Sequence, residues 1–203
     1  MKASVVAAAR IENATEELRP EFRRATANMK LCASALERLF EQAPALDRRS
    51  CGLVLGTSFG ELETTSDFLG TLAAQGVARP LLFQNSLHNA TTGFLSLHFK
   101  MQGPTATLCD RAHAGHYALT TALLWLEAGL TDWVIAIECD TPVPALPHEP
   151  LPRAGAAAAL LTRSDDEGRL TVELDARATA PPDPLGWLAS APSGGRLKLP
   201  FAP

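Results

Sequence analysis

The amino-acid sequence predicts an α/β fold, in which helices and strands alternate along the chain and pack in layers. Several segments carry apolar residues at every third or fourth position, which is typical of a helix that covers a core. Between them stand short runs rich in leucine, valine, isoleucine and alanine, which are typical of strands buried on both faces. Residues 116–129 are apolar around nearly their whole circumference and predict a buried central helix.

The order of the elements follows from these patterns. Helices are predicted over residues 23–42, 60–76, 89–101 and 116–129. Strands are predicted over residues 51–58, 105–109, 132–139, 154–164 and 169–176. The second helix carries Leu62, Leu69 and Leu72 on one side. It closes at Gly76, a residue type that readily takes the left-handed cap conformation.

The C-terminal part of the chain has a different composition. Proline and glycine are frequent there, and proline has no backbone N–H to give to a helix or a sheet. We therefore expect one domain over residues 1–175 and a proline-rich tail over residues 176–203 that has no regular structure. Trp187 and Leu188 are candidates to anchor that tail.

Composition and charge exclude several classes of function. The 203 residues are 46% hydrophobic, and 18 basic against 22 acidic residues give a net charge of −4. No long Lys/Arg cluster is present in the sequence, so nucleic acid is not an expected partner. The apolar stretch ASVVAAA, closed by Arg10, is too short to span a bilayer, and we expect a cytoplasmic protein with no membrane span. Four widely spaced cysteines are expected to be buried reduced thiols: Cys32, Cys51, Cys109 and Cys139.

A cluster of chemically active residues stands where the second strand passes into the central helix. Cys109, His113 and His116 form a C-x3-H-x2-H pattern, which would suit a three-ligand zinc site if the three side chains shared one helix face. Asp110 and Arg111 beside His113 have the composition of an acid–base cluster. The alternative is a polar turn that hydrogen-bonds the helix start, with histidines that are satisfied or face solvent. We favour this alternative and expect no metal and no cofactor.

Four motifs, taken in their order and spacing, resemble the N-terminal half of the thiolase-like condensing enzymes, specifically the β-ketoacyl synthases. They are LVLGTSFGELETT, HNATTG, GPTATL and AGAAAALL, and the resemblance covers residues 20–175. It implies a half-length thiolase-like fold with layered helices, a mixed sheet and a buried central helix. In that family the nucleophilic cysteine lies in a sharp turn at the amino end of the central helix, where the helix dipole and N–H groups stabilise a thiolate and an oxyanion.

The resemblance implies that this chain lacks that nucleophile. Counted without gaps from the Gly-Pro pair to the glycine of the helix start, the nucleophile position is Ala112, whose methyl group cannot attack a thioester. The two catalytic histidines of the family belong to the second half of a longer chain and are not expected here. The short linker DTPVPALPHEPLPR also stands where the family has a lid. An alternative makes Cys109 a displaced nucleophile, assisted by His113 or His116, in an acyltransferase or thioesterase.

Two further segments bear on a possible interface. The apolar residues 81–83 and the strand 105–109 are either plain core or a dimer surface, since the corresponding family strand pairs with its twin across a dimer axis. His88 and Asn89 are candidates to line an interface or an acyl tunnel. We also expect Asn89 to cap the helix that begins at Ala90, because an asparagine side chain accepts an N–H that has no partner in the helix.

The expected function follows from this resemblance. The peptide ECDTPVPALP resembles short relatives that accompany aryl polyene pathways and pair with a full condensing enzyme. We therefore expect a non-catalytic, chain-length-factor-like subunit that forms a heterodimer with a full-length β-ketoacyl-ACP synthase in type II polyketide, aryl polyene or fatty-acid-like biosynthesis. The synthase would supply the catalytic residues and dock the acyl carrier protein. A homodimeric module that binds an acyl group or the carrier protein is the remaining alternative.

Overall fold

Alternating helices and strands make up the structure, a computed structural model that describes residues 1–13, 20–144, 146, 154–163, 169–179 and 181–201. The strands are β1 (Lys2–Ile11), β2 (Gly52–Thr57), β3 (Thr105–Cys109), β4 (Trp133–Asp140), β5 (Gly155–Thr162), β6 (Thr171–Leu174) and β7 (Arg196–Leu199). The helices are α1 (Ala27–Gln42), α2 (Leu62–Gln75), α3 (Pro80–Asn85), α4 (Ala90–Phe99), α5 (Ala114–Glu127) and α6 (Pro184–Ser190). Across these ranges, each helix falls short of the length and hydrophobicity that a bilayer-spanning segment requires.

The described strands form one mixed sheet, in the order β3-β2-β4-β5-β1-β6-β7. β2 lies parallel to both β3 and β4, and β6 lies parallel to β7. The remaining neighbours are antiparallel: β4 with β5, β5 with β1, and β1 with β6. The predicted α/β class and mixed sheet are confirmed. Most of the linker DTPVPALPHEPLPR, residues 145 and 147–153, lies outside the described ranges.

Helices cover both faces of the sheet, so its central strands are buried on both sides. α1 and α4 cover one face, whose buried cluster includes Leu36 and Ile135. α5 and α6 cover the other face, whose buried cluster includes Leu123, Val134 and Leu185. Because successive side chains of a strand point to opposite faces, β4 needs an apolar residue at nearly every position, and it reads WVIAIECD.

Helix α1 shows the predicted periodicity directly. Its buried face carries all the apolar residues that predicted it: Met29, Cys32, Leu36, Leu39 and Phe40. Thr26 begins the helix, because its Oγ1 accepts a hydrogen bond from the N–H of Met29 at 3.2 Å. Each large apolar side chain buried in this way stabilises the fold by about 1.5–3 kcal/mol.

Two elements near the start and middle of the chain lie where the pattern predicts none. The apolar stretch at the N-terminus is strand β1, which pairs with β5 and β6 more than a hundred residues later. Only that distant pairing identifies it as a strand. Helix α3 begins at Pro80, a residue type that suits the first turn of a helix because the N–H that proline lacks would have no partner there.

The C-terminal segment was expected to have no regular structure, and that expectation is wrong for α6 and β7. Asp183 caps α6 by accepting a hydrogen bond from the N–H of Gly186 at 2.7 Å, and its other oxygen lies 2.6 Å from Nη1 of Arg10. Leu185 and Leu199 are fully buried against the second face of the sheet. The segment therefore completes a core that the rest of the chain leaves open. The division between residues 175 and 176 stays a prediction.

Two helices are more exposed than the sequence suggested. α2 ends, as predicted, at Gly76 with a left-handed φ of 64°, but every residue of it is at least partly exposed, including Leu69 and Leu72. α5 buries one face on the sheet, while Tyr117 and Leu124 lie on an exposed stripe. The predicted central helix is therefore buried along the face that packs on the sheet, and its outer stripe remains exposed.

Candidate functional site

The carboxyl ends of β2, β3 and β4 meet at one edge of the sheet, because these strands are parallel. Thr57 ends β2, Asp110 follows β3, and Asp140 ends β4. This end of the strands is where open α/β sheets commonly bind ligands. The predicted site residues, 109–116, lie here at the passage from β3 into α5.

Two buried carboxylates that the sequence analysis missed hold this edge together. Asp140 is 4% exposed and accepts hydrogen bonds from Thr57 Oγ1 at 2.9 Å, Ser58 N at 2.8 Å and Ser58 Oγ at 2.7 Å. Glu61 is also 4% exposed and accepts a hydrogen bond from Thr91 Oγ1. Burial raises the pKa of both carboxyls and outweighs the hydrogen bonds, which lower it. In the sequence, Asp140 could have been found as an acidic residue directly after a buried strand. Glu61 could have been found as an acidic residue directly after the glycine turn that follows a buried strand.

The turn between β3 and α5 is organised around Asp110. Its Oδ1 accepts hydrogen bonds from the N–H of Ala112 at 3.0 Å and of His113 at 2.7 Å, and it lies 3.3 Å from His113 Nδ1. Desolvation raises the pKa of Asp110, but these hydrogen bonds and the His113 ring outweigh it and lower the pKa below its usual value. Asp110 therefore stays ionised, in the polar turn that was the favoured alternative to an acid–base cluster.

Ala112, the expected nucleophile position, lies exposed in this turn. Its side chain is a methyl group, and its N–H is bound to the Asp110 carboxylate. An oxyanion that formed here would meet a negative charge in place of a free N–H donor. As it stands, the turn offers neither a nucleophile at Ala112 nor the N–H of that residue for an oxyanion.

Cys109 is exposed, which corrects the expectation of four buried thiols; the other three cysteines are buried and free as predicted. Its Sγ lies 3.5 Å from Nδ1 of His88. No hydrogen bond among the described residues joins it to His113 or His116. Desolvation, and then the charge of Asp140, raises the pKa of the Cys109 thiol. Because the thiolate is the nucleophile, this environment works against catalysis by Cys109.

The zinc pattern of the sequence is not assembled in three dimensions. Over the described parts of the chain, no three His, Cys, Asp or Glu side chains are grouped as metal ligands would be. Cys109 contacts His88, and His113 contacts Asp110. His116 points its Nε2 at a threonine of its own helix. The three proposed ligands therefore have three different surroundings.

A cavity of about 460 Å³ lies beside the start of α5. It is lined by Ala112 and His113 of the turn before α5, by the first turn of α5, by Glu138 of β4 and by the proline-rich C-terminal segment. His116, one of the lining residues, is 2% exposed, and its Nε2 lies 3.3 Å from Thr120 Oγ1. Its Nδ1 has no hydrogen-bond partner in the described structure. Desolvation, and then the charge of His113, lowers the pKa of His116, so its ring is uncharged near physiological pH.

Asn89 occupies the N-cap position of α4, but its side chain makes no capping hydrogen bond. Its backbone carbonyl accepts instead, from Thr92 Oγ1 at 2.9 Å and from the N–H of Gly93 at 2.9 Å. The expected side-chain cap is therefore wrong. The neighbouring His88 is held against Cys109 and not at the helix start.

An extensive set of apolar side chains is exposed on the helices that follow β2. Phe68 of α2 and Phe83 of α3 pack with their ring centroids 5.6 Å apart, which joins the two helices. A groove of about 380 Å³ runs between α3, α4 and the start of α1. The exposed residues, named here the apolar helical surface, are Leu69, Leu72, Val77, Leu81, Phe83, Leu87 and Leu97. Exposed apolar surface of this extent marks interaction sites.

The two edges of the sheet are protected differently. The outer strand β7 carries Arg196 and Lys198, which pair with Glu173 of β6 at 3.9 and 3.4 Å, and such charges discourage pairing with another strand. The outer strand β3 reads TATLC and carries neither a charge nor a proline. It contacts α4 and α5 beside it, so the exposed side chains of those helices border this edge.

The sheet order, the two helix layers and the helix start after β3 define a thiolase-like α/β fold. The family model described as "Beta-ketoacyl synthase, N-terminal domain" matches residues 21–184, and the chain belongs to this family. The resemblance seen in the sequence is confirmed. Among curated proteins, none matches the sequence.

Solved structures share the fold at low sequence identity. One chain of the complex of the ketosynthase ApeO with its chain length factor ApeC from Xenorhabdus doucetiae has a TM-score of 0.69 at 18% identity, over 94% of this chain and 93% of that one. The ishigamide ketosynthase/chain length factor has a TM-score of 0.71 at 14% identity, over 83% of this chain and 64% of that one. The AntDE:AntF complex, a type II PKS acyl-carrier protein with its ketosynthase, has a TM-score of 0.68 at 15% identity, over 80% of this chain and 62% of that one. This chain spans nearly all of the first and less than two thirds of the other two.

Proposed function

We propose that this chain is a non-catalytic, chain-length-factor-like subunit that forms a heterodimer with a complete β-ketoacyl-ACP synthase. The observation that carries the proposal is the turn before α5, where Ala112 stands at the nucleophile position and its N–H is bound to Asp110. The synthase supplies the nucleophile and the catalytic histidines and docks the acyl carrier protein. We place the pair in the cytoplasm, in type II polyketide, aryl polyene or fatty-acid-like biosynthesis. The similar structures support this, since two of them contain a ketosynthase and a chain length factor.

The surface next to β3 supports a protein partner. No described strand pairs with the outer side of β3, and β3 has no charge to block such pairing. Leu97 of α4, which is 84% exposed, belongs to one of the two helices beside it, and Tyr117 and Leu124 of α5 belong to the other. A partner that extends the sheet at β3 would cover these side chains at the same time. Burial of that apolar area would favour the complex.

The test is the molar mass of the protein, by light scattering on a sizing column, alone and co-expressed with the condensing enzyme encoded nearest to it. We expect a one-to-one complex. Leu97→Asp should weaken it at least about tenfold, because a carboxylate would be buried in an apolar contact. Phe201→Asp is the control, since Phe201 is an exposed apolar residue just after β7, the strand at the other edge of the sheet from β3. A stable homodimer that ignores the synthase would favour the acyl-binding or carrier-binding module instead.

The contact of Cys109 with His88 supports a second candidate, an acyltransferase or thioesterase with Cys109 as nucleophile. The raised pKa of that thiol opposes it. We expect no protein-bound thioester when the isolated chain is incubated with a radiolabelled acyl-carrier thioester. Label that is retained on the wild type and lost in Cys109→Ser would establish the second candidate.

A further inference from the structure

A partner that extends the sheet at β3 needs more surface than that edge of the molecule provides. Stable protein interfaces bury about 800 Å² on each partner. β3 has five residues, so its edge is ~17 Å long, and a sheet with a helix on each face is about 30 Å thick. These dimensions give only about 500 Å². The partner would therefore have to reach past the helices beside β3 onto a neighbouring surface.

The neighbouring surface with the most exposed apolar side chains lies on the α4 side. The groove of about 380 Å³ between α3, α4 and the start of α1 has Leu97 in its lining, and the helix that carries Leu97 contacts β3. A partner at β3 that covers Leu97 is therefore already at the groove. Other apolar residues line it further from β3: Met29, Leu81, Leu87 and Phe94.

The charge of the groove restricts the segment that fits it. Within the described chain, its charged lining residues are Glu21 and Arg24, one of each sign. The remaining polar lining is made of uncharged amides, those of Gln84, Asn85 and Asn89. A charged side chain of the partner would lose its hydration here without an excess of opposite charge to replace it. The groove therefore favours an apolar, uncharged segment.

The walls of the groove also decide the secondary structure of that segment. α3 and α4 use their backbone groups in their own helical hydrogen bonds, so neither wall offers an edge to which a strand could pair. An extended segment would bury backbone N–H and C=O groups without partners, which is costly. A helix satisfies these groups internally and can lay apolar side chains at every third or fourth residue into such a groove.

One residue of the groove has no use in the packing of this chain. Gly93 lies exposed in the interior of α4, one turn before Leu97, and lines the groove. Beyond its neighbours in the helix, no atom lies within 4 Å of the position that a methyl group would take. Glycine destabilises a helix interior relative to alanine. The absence of a side chain lets a second backbone come close to α4 at this point, and contacts made there would offset that loss.

We propose that the groove between α3 and α4 receives an apolar, uncharged helix of the synthase, whose backbone packs against Gly93 and whose side chains contact Leu81, Leu87 and Leu97. The inference rests on the proposed heterodimer and adds a second contact to the one at β3. Gly93 determines what fits, because any side chain at this position holds the two helices apart.

Competition for a limiting amount of synthase tests the proposal. Wild type and Gly93→Ala, which differ in mass by one methylene group, are co-expressed with a limiting amount of the condensing enzyme encoded nearest to the chain. Mass spectrometry then compares their ratio in the purified complex with their ratio in the whole lysate. We expect wild type to be enriched in the complex at least about tenfold, and further against Gly93→Gln, because overpacking a close contact weakens it.

The same substitutions at Gly70 are the matched controls. Gly70 lies in the exposed helix α2, also has no atom within 4 Å of the position of an added methyl group, and is not a lining residue of the groove. We expect Gly70→Ala and Gly70→Gln to enter the complex in the same proportion as wild type. Equal competition by Gly93→Ala and Gly93→Gln as well would overturn the proposal and leave the heterodimer standing.

Urea unfolding of the isolated chain separates binding from folding. Gly93→Ala and Gly70→Ala should both raise the midpoint of unfolding, because each replaces a glycine in an exposed helix. A lower midpoint in Gly93→Ala would show that this chain needs the glycine itself, which would overturn the proposal. If Gly93→Gln changed only the self-association of the chain, the groove would belong to a second copy, and the proposal would also fail. If wild type formed no complex with the synthase, the proposed function would fail, and this docking with it.

Discussion

Gly56 of β2 lies directly beneath the first turn of α5. A methyl group on its Cα would lie 2.2 Å from the carbonyl oxygen of Ala114, so the strand and the helix approach more closely than any larger residue permits. This approach sets the position of the turn that carries Asp110 and Ala112. We expect Gly56→Ala to lower the free energy of unfolding by about 2–3 kcal/mol, measured by urea denaturation.

Gly70 gives the matched control for that substitution. It lies in the exposed helix α2, and no atom is within 4 Å of the position that a methyl group would take. Because glycine weakens a helix interior, Gly70→Ala should raise stability by about 0.5–1 kcal/mol. The same small effect at both positions would contradict the close approach at Gly56.

The buried carboxyl of Glu61 makes stability depend on pH. Burial raises its pKa above the unfolded value and outweighs the hydrogen bonds from Thr91, Thr26 and Thr64. Its contribution to stability is therefore present below the unfolded pKa, about 4.3, and is lost as the pH rises through the folded pKa. The glutamine of Glu61→Gln carries no charge at any pH. The free energy of unfolding of this variant should therefore fall less between about pH 4 and about pH 7 than that of the wild type.

Calorimetric unfolding across that pH range measures the effect. Glu41→Gln is the control, since Glu41 is exposed at the end of α1 and its charge stays in water. The pKa of Asp140 is also raised by burial, and Asp140 remains in both variants. The slope of the free energy of unfolding against pH should therefore become smaller in Glu61→Gln and not vanish. A slope in Glu61→Gln equal to that of wild type would contradict the role of Glu61.

At the scale of the elements, β3 is the strand at which the proposed partner would extend the sheet. The N–H of Leu53 donates to the carbonyl of Pro104 at 2.9 Å, and the N–H of Asp110 donates to the carbonyl of Thr57 at 3.1 Å. Since N–H groups alternate in direction along a strand, those of the even-numbered residues of β3 point to β2. The N–H groups that point to the open edge belong to Thr105, Thr107 and Cys109.

Hydrogen exchange resolved by residue tests that arrangement. In the isolated chain we expect fast exchange at Thr105 and Thr107 and slow exchange at Ala106 and Leu108, which are bonded to β2. When the synthase is bound, the outward amides should slow at least about tenfold, because they gain partners. The inward amides serve as the internal control. A complex that leaves the outward amides fast would mean that the partner docks on another face.

At the scale of the whole molecule, two cores lie on opposite faces of one sheet and are completed by opposite ends of the chain. β1 supplies the strand between β5 and β6, and α6 and β7 close the second face with Leu185 and Leu199. Apolar side chains stay exposed on α2, α3 and α4, the helices that come after β2 in the chain. The edge strand β7, in contrast, carries charged side chains. Charged side chains thus protect the edge of the sheet at β7, whereas the edge strand β3 carries none.

How much could be predicted depends on how far apart the interacting residues lie. α1, α5 and β4 were predicted because their periodicity is a property of a single segment. The contact of Cys109 with His88, and that of Asp140 with Ser58, join separate elements and leave no periodic trace. Sequence reasoning therefore found the turn before α5 but not the contact of Cys109 with His88.

By itself, the sequence determined the α/β class, the order of most helices and strands, and membership of the β-ketoacyl synthase N-terminal family, because local patterns and motifs carry that information. The tertiary structure alone decided that the first residues form a strand and that the C-terminal segment forms a helix and a strand of the same sheet. It also decided which carboxylates are buried and that a cavity forms beside His116. The reason is physical: strand pairing, burial and cavity walls are made by residues far apart in the chain, and only folding brings them together.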